Sequence, residues 1–488
     1  MSLSDGTSER LSPPAAAHNA CPPPTSMPLN VTEEIEDLKE NVNDFFLLAN
    51  AIFVSFMQAG FACLEAGAVR TKNATNIIMK NLLDLFICCF AYYMVGYALA
   101  YGQGNSFLGY TYWVGNGLPD SSLSHWFFQF VFAATAATIL SGAVAERCNF
   151  VAYIVYSAVI SGVVYPIVSH WAWADNGWLN TFGYKDFAGC GVVHALAGVC
   201  AFVGAAFLGP RRGRFSQDGK PQDIVGHSLP LVGIGALLLI SGFLAFNGGS
   251  LGHIADKGDG AIVARSMFST VVGGSGGAII CLILGRIGLL SDAPWPFSVT
   301  LNGTLAGMVS ICGAPDGYAA WAAFVTGAVG ALVFLGLRRL VLFVRVDDPL
   351  EATAVHLGGG CWGVIARPLF APDGLVYQTT YDARMGLYQN AVGLCAIIAW
   401  SAICSIIIFG GLKLIGFLRI SPEEELEGLD VTKHGEHAYP QSAWRESGLW
   451  SSAVVTDAII LDGTYKVQKS DYDNHAYSGD RKNHNVRL

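Results

Sequence analysis

Charge is what this sequence has least of. Only 13% of its 488 residues are Asp, Glu, Lys or Arg, while 52% are hydrophobic. Soluble domains carry about 25% charged residues, so a water-exposed globular surface is excluded. Also missing is a basic start followed by a short apolar run, so no cleavable signal peptide is visible and the first span serves as the targeting signal. The 12 cysteines show no CxxC spacing. Cys63, Cys88, Cys89, Cys200, Cys281, Cys395 and Cys404 sit inside apolar runs and read as small packing residues, with neither a disulfide framework nor a zinc site. The apolar runs do not alternate with polar residues, which sets a β-barrel aside in favour of helices. No nucleophile–base pair or metal-ligand cluster stands out, so an enzyme is the weakest functional class and no cofactor is expected. The net charge of −9 says little about partners, because the acids lie mainly in the two tails, and nothing points to nucleic acid.

What is present is a series of long apolar stretches such as Phe86–Ala100, Leu229–Phe246 and Ala391–Phe409. Roughly 20 residues cross a hydrocarbon core. Spans are expected at 45–69, 76–101, 125–146, 150–170, 188–209, 226–247, 261–284, 295–313, 318–343, 353–371 and 388–416, eleven in all. The 57 glycines suit helices packed through small faces. Residues 1–44, Pro-rich and then acidic, read as a flexible leader, 45–416 as the membrane domain, and 417–488 as a soluble charged tail.

With the N-terminus outside, the inner loops hold Arg70, Lys72, Arg147, Arg211, Arg212, Arg214, Lys220, Arg286, Arg338, Arg339 and Arg345. The outer loops hold only Lys185, Lys257, Arg367 and Arg384. That bias places the C-terminal tail in the cytoplasm. It also makes Asn30-Val31-Thr32 an extracellular glycosylation sequon and leaves Asn73-Ala74-Thr75 inert. Spans one to five and six to ten each end in a helix bearing one histidine, His194 and His356. Five is odd, so a second copy would insert upside down, and such inverted repeats place a substrate site at their interface.

Each of these histidines is flanked by apolar and small residues, as in Gly191-Val192-Val193-His194-Ala195 and Ala354-Val355-His356-Leu357-Gly358. An ionisable group at membrane depth is costly and points to function. The alternative is a packing histidine bonded to backbone or hydroxyl; a metal ligand lacks partners at suitable spacing. A neutral imidazole pair can accept, donate and relay a proton for a small polar substrate. Asp186 precedes His194 by eight residues, roughly 12 Å along a helix. It reads as a first-turn cap favoured by the helix dipole, as a negative group drawing a cation into the outer mouth, or as both. Phe128, Phe132, Trp171, Trp173 and Trp178 crowd the outer side, either as a surface for a monovalent cation or as an interfacial belt.

At this point the motifs become specific. Asp186-Phe187-Ala188-Gly189-Cys190-Gly191-Val192-Val193-His194, and Val346-Asp347-Asp348-Pro349-Leu350-Glu351 followed by His356, resemble signatures of the Amt/Mep/Rh ammonium transporter family. So do Glu65-Ala66-Gly67-Ala68-Val69-Arg70-Thr71-Lys72-Asn73, Gly142-Ala143-Val144-Ala145-Glu146-Arg147 and Phe246-Asn247-Gly248-Gly249-Ser250, in family order over roughly 45–440. The chain is similar to the Amt branch, especially its plant-type members, and Gly428-Leu429-Asp430-Val431-Thr432-Lys433-His434-Gly435 in the tail supports that.

The resemblance implies an all-α polytopic membrane protein of eleven transmembrane helices. These would form two inverted five-helix repeats plus a long eleventh helix, in a homotrimer within the lipid of the plasma membrane. It implies that Phe128, Trp173 and Ser250 recruit the cation, with Asp186 as the nearby acid. Phe132 and Phe246 would stack as a gate, and His194 and His356 would line the narrow pore. Thr432 would be a phosphorylation switch for a kinase acting on the tail, which contacts a neighbouring subunit. Ammonium would cross as NH4+, or as NH3 plus a proton. One departure is Gly242-Phe243, where the family usually has Gly-Trp. It keeps open a second class, an ammonium sensor or transceptor signalling through the tail.

Overall fold

The protein is represented by a computed structural model that describes residues 29–290 and 293–440; the first 28 residues, 291–292 and 441–488 lie outside the described residues. Most of the expected leader and the end of the tail therefore fall outside it. The first helix, α1 (Leu29–Ala68), starts well before the expected 45, so residues 29–44 extend the span as helix instead of continuing a flexible leader.

The remaining helices follow the expected spans closely. They are α2 (Thr71–Tyr101), α3 (Asp120–Ala143), α4 (150–173) and α5 (Cys190–Leu208). After them come α6 (Leu229–Gly249), α7 (Asp259–Arg286), α8 (Phe297–Ile311), α9 (Ala320–Phe343), α10 (353–370) and α11 (Tyr381–Leu414). Nine helices among the described residues are long and apolar enough to cross a membrane. Helix α8 is shorter, and α10 opens with the π-helical turn Thr353–Gly358. No strand occurs among the described residues, only isolated bridges.

Polar caps fix where helices begin. The Asn149 side chain accepts from the Val151 N–H at the start of α4, Ser228 from Leu231 at α6, and Thr380 from Ala383 at α11. Each satisfies an N–H that helix geometry leaves without a partner.

Lipid tails are as apolar as leucine, so helices in a membrane associate through close packing of small residues. Helices α1 and α6 meet this way. A Cβ on Gly60 would lie 3.0 Å from the Gly235 carbonyl oxygen, and one on Gly67 only 2.7 Å from the Val232 nitrogen. Helices α5 and α10 do the same: a Cβ on Gly198 would come within 2.7 Å of Leu357 Cα, and one on Gly360 within 2.7 Å of the Ala195 nitrogen. Alanine at either position would push the two histidine-bearing helices apart.

The basic loop residues assigned to the inner side converge at one end of the bundle. Arg70 and Arg211 reach Glu146 Oε2 at 2.7 and 3.2 Å, and Arg211 Nε meets Asp347 Oδ2 at 2.8 Å. Burial works against charge on Glu146 and Asp347, yet these guanidinium groups hold both carboxyls below their usual range. The first part of the tail packs here on its own chain. A short helix, α12 (Pro422–Glu427), starts at a Ser421–Glu424 capping box, and Glu425 pairs with Arg419 at 2.8 Å. The Asp430 carboxylate then accepts from the N–H groups of Thr75 and Asn76 at 3.1 and 2.8 Å, capping α2.

Candidate functional site

The site is built where α5 and α10 cross, and two aspartates set its geometry. Between α4 and α5 the chain turns at Gly189, whose φ of +98° is a left-handed conformation that favours glycine. That turn brings Asp186 outside the helix, so the expected 12 Å separation along one continuous helix does not apply. Instead its Oδ1 accepts from the N–H groups of Gly189 and Cys190 at 3.1 and 2.7 Å. Its Oδ2 accepts from Gly191 and Val192 at 2.8 and 3.1 Å, and from the Tyr184 hydroxyl at 3.2 Å. The capping reading of Asp186 is what the hydrogen bonds display. Asp348 does the same for α10, accepting from Ala352 and Thr353 at 3.1 and 2.7 Å. The sequence signal for Asp348 is its spacing of eight before His356, matching Asp186 and His194.

Both capped segments begin as π-helical turns, Cys190–Ala195 and Thr353–Gly358, and each carries its histidine inward. The His194 and His356 rings lie 5.2 Å apart, nearly parallel at 20°, with their Nδ1 atoms separated by 3.2 Å. At that distance one ring nitrogen donates and the other accepts, the tautomers deciding which. His194 Nε2 also lies 3.7 Å from the sulfur of Cys312, the residue just past the end of α8. Both rings are buried, His194 fully and His356 nearly so.

Phe132 (α3) and Phe246 (α6) cover His194. Their rings stack at 3.9 Å and 13°, and Phe246 sits 5.5 Å from the imidazole. Phe128 leans on Phe132 at 4.8 Å, and Trp173 meets Phe132 edge-on at 6.2 Å. The Trp173 indole donates to the Asp186 carbonyl oxygen at 2.8 Å, which ties the aromatic wall to the cap. Ser250 lies one turn beyond Phe246, its hydroxyl donating to the Phe246 carbonyl at 2.6 Å. A Cβ on the adjacent Gly249 would lie 2.9 Å from the Phe128 ring, so this end of α6 lies against Phe128.

The other outer aromatics are elsewhere. Trp171 and Trp178 pair at 5.7 Å, and Trp171 contacts Trp400 at 5.4 Å and Phe107 at 4.9 Å, a separate cluster against α11. Phe243 stands where the family resemblance leads one to expect Trp. It is buried and stacks on His194 at 5.6 Å. On the far side of His356 is a cavity of about 30 Å³ lined by residues that include Phe61, Glu65, Phe243 and Leu350. Thr432 is remote from all of this, in the tail, with its hydroxyl donating to the Gly428 carbonyl at 2.9 Å.

Among the described residues one group has metal-ligand chemistry. His253, Asp256 and Asp259 bring their ligand atoms within 4.8 Å of one another. Lys39 already neutralises Asp256 at 3.3 Å, and His253 is bonded to Asp259 at 2.8 Å.

Residues 45–439 match the model of the Ammonium Transporter Family. The chain is 42% identical over 456 residues to putative ammonium transporter 1 of Caenorhabditis elegans, covering 86% of this chain and 84% of that one. It is 39% identical to ammonium transporter 1 member 3 of Solanum lycopersicum, covering 83% and 94%. Among solved structures, one described as a sensor Amt protein superposes with a TM-score of 0.76 at 32% identity, over 82% of this chain and 99% of that one. Candida albicans Mep2 shares the fold, with a TM-score of 0.72 at 24% identity over 80% and 88%.

Proposed function

The chain belongs to the ammonium transporter family, within its Amt branch, and is a multi-pass membrane protein; from that premise we propose that it moves ammonium across the bilayer through the paired histidines. The observation that carries the reading is the His194–His356 pair, Nδ1 to Nδ1 at 3.2 Å, behind the stacked rings of Phe132 and Phe246.

In this reading NH4+ rests outside the stack against Phe128, Trp173 and Ser250. Aromatic faces attract a cation by about 0.5–2 kcal/mol, more as water is stripped away. Asp186 adds negative potential, although its oxygens are occupied in holding α5. The stacked rings and buried imidazoles offer no hydration shell, and carrying a bare charge through costs several kcal/mol. Ammonium avoids that cost by giving up a proton: one N–H bond breaks, a proton passes to a ring nitrogen, and neutral NH3 moves on. Potassium has no proton to give and is refused.

The same premise supports eleven spanning helices arranged as two inverted repeats of five with α11 added. The matched Asp186–His194 and Asp348–His356 devices favour that symmetry. It also supports an extracellular N-terminus, a cytoplasmic tail, a homotrimer at the plasma membrane, and regulation by a kinase at Thr432. The domain division follows, with the membrane domain reaching 416 and the regulatory tail beyond it.

A sensor is the second reading, favoured by the sensor Amt protein among the structural matches and by Phe243 in place of Trp. Uptake of isotope-labelled ammonium into oocytes at confirmed surface expression separates the two. Saturable uptake is expected; none would leave the sensor.

A further inference from the structure

Helix α1 buries a carboxylic acid that the mechanism above does not use. Glu65 is 1% exposed, and its two oxygens accept from Ser141 Oγ at 2.5 Å and Asn81 Nδ2 at 2.9 Å. Neither donor is charged, and no Lys or Arg forms an ion pair with Glu65 among the described residues. A buried acid in the last turn of α1, with neutral hydrogen-bond donors and the charge of buried Lys80 acting on it, is expensive as a carboxylate and points to a proton or ion route. What it faces sharpens this. Glu65 and His356 line one cavity, whose other walls include Phe61, Leu239, Phe243 and Leu350. Its volume of about 30 Å³ has room for two or three water-sized molecules, at roughly 10–15 Å³ each. Apart from Glu65, His356 and Asn302, the lining is apolar, so a proton leaving His356 on this side has few destinations.

Resting on the transport reading, we propose that Glu65 is the proton-handling group on the far side of the histidine pair. A protonated His356 passes its proton through water in the cavity to the Glu65 carboxylate. The ring N–H bond breaks, an O–H bond forms on Glu65, and the imidazole returns to neutral. The Glu65 acid then gives the proton to emerging NH3, re-forming NH4+ and restoring the carboxylate. Nothing else is consumed, and one charge crosses per ammonium. A nearby buried acid provides the contrast. Asp84 accepts from Ser157 and Thr138 at 2.7 and 3.1 Å but does not border the cavity.

The test uses the full chain in voltage-clamped oocytes, reading current and labelled ammonium uptake together. Glu65→Gln keeps the shape and one acceptor but cannot take the proton. Uptake should persist while charge moved per ammonium falls by about tenfold or more, and Asp84→Asn should leave that ratio unchanged. An unchanged ratio in Glu65→Gln, an equal loss in Asp84→Asn, or wild-type uptake with no charge would each overturn the proposal and spare the transport reading. No wild-type uptake, with the chain at the surface, would overturn the transport reading itself. Should Glu65→Gln fail to reach the surface, Glu65→Asp and Glu65→Ala decide: the acid keeps the ratio and the alanine loses it, and equal ratios refute the role.

Discussion

Helices α5 and α10 open with the same device, an aspartate eight residues ahead of a histidine and a π-helical first turn between them. Their surroundings differ. Asp186 accepts four backbone N–H groups and a tyrosine hydroxyl, whereas Asp348 accepts two backbone N–H groups. Stacked phenylalanines cover His194, while His356 borders a cavity shared with Glu65. The matching turns therefore supply two like imidazoles in unlike surroundings, stacked rings over one and a cavity beside the other, which the proposed mechanism uses as seal and outlet.

The comparison breaks most visibly at the caps. Hydrogen bonds to a charged group contribute about 1.5–3 kcal/mol each, without strict additivity. Asp186→Ala should therefore lower the thermal unfolding midpoint of the purified protein well beyond Asp348→Ala. Equal drops would mean that the two caps are equivalent and that the difference in their bonding carries no weight.

A smaller effect is expected at the seam between the two ends. Phe243 touches His194 and also lines the cavity beside His356. Indole is larger than phenyl, and overfilling a packed site typically costs about 1–3 kcal/mol. Phe243→Trp should slow maximal uptake several-fold without admitting potassium. Uptake faster than wild type would mean that the site is built for Trp and that Phe243 weakens it.

The smallest effect belongs to the tail. Thr432 sits in the turn whose Asp430 caps α2, and Lys433 reaches Glu424 at 2.5 Å. A negative charge at Thr432 lies beside Asp430 and should loosen that cap by like-charge repulsion. Thr432→Asp should reduce uptake by about twofold or more, an effect of roughly 0.5–1 kcal/mol. Uptake matching wild type would remove Thr432 from the account.

Much of this was readable in one sequence, for identifiable reasons. Span positions follow from long apolar runs, which a bilayer makes nearly unambiguous. His194, His356 and Asp186 stood out because ionisable groups are rare in such runs. The helical start at Leu29 was hidden because its first turns are acidic and polar, the pattern of a solvated segment. The aromatics show the limit of composition: Trp173 joins the wall over His194, while Trp171, two residues away on the same helix, points into a different cluster. A helix turns about 100° per residue, and sequence alone does not say which face meets α3. Glu65 has no legible role in the sequence, because His356 lies 291 positions along the chain and only the fold brings them to one cavity.

The central claim is that the histidine pair carries ammonium and refuses potassium. Its most direct test is the current evoked by ammonium and then by potassium in voltage-clamped oocytes, comparing wild type with His194→Ala at matched surface expression. The account predicts a saturable, ammonium-selective current in the wild type that disappears, or turns into a potassium-permeable leak, in the variant. An undiminished, still selective current in His194→Ala would contradict it.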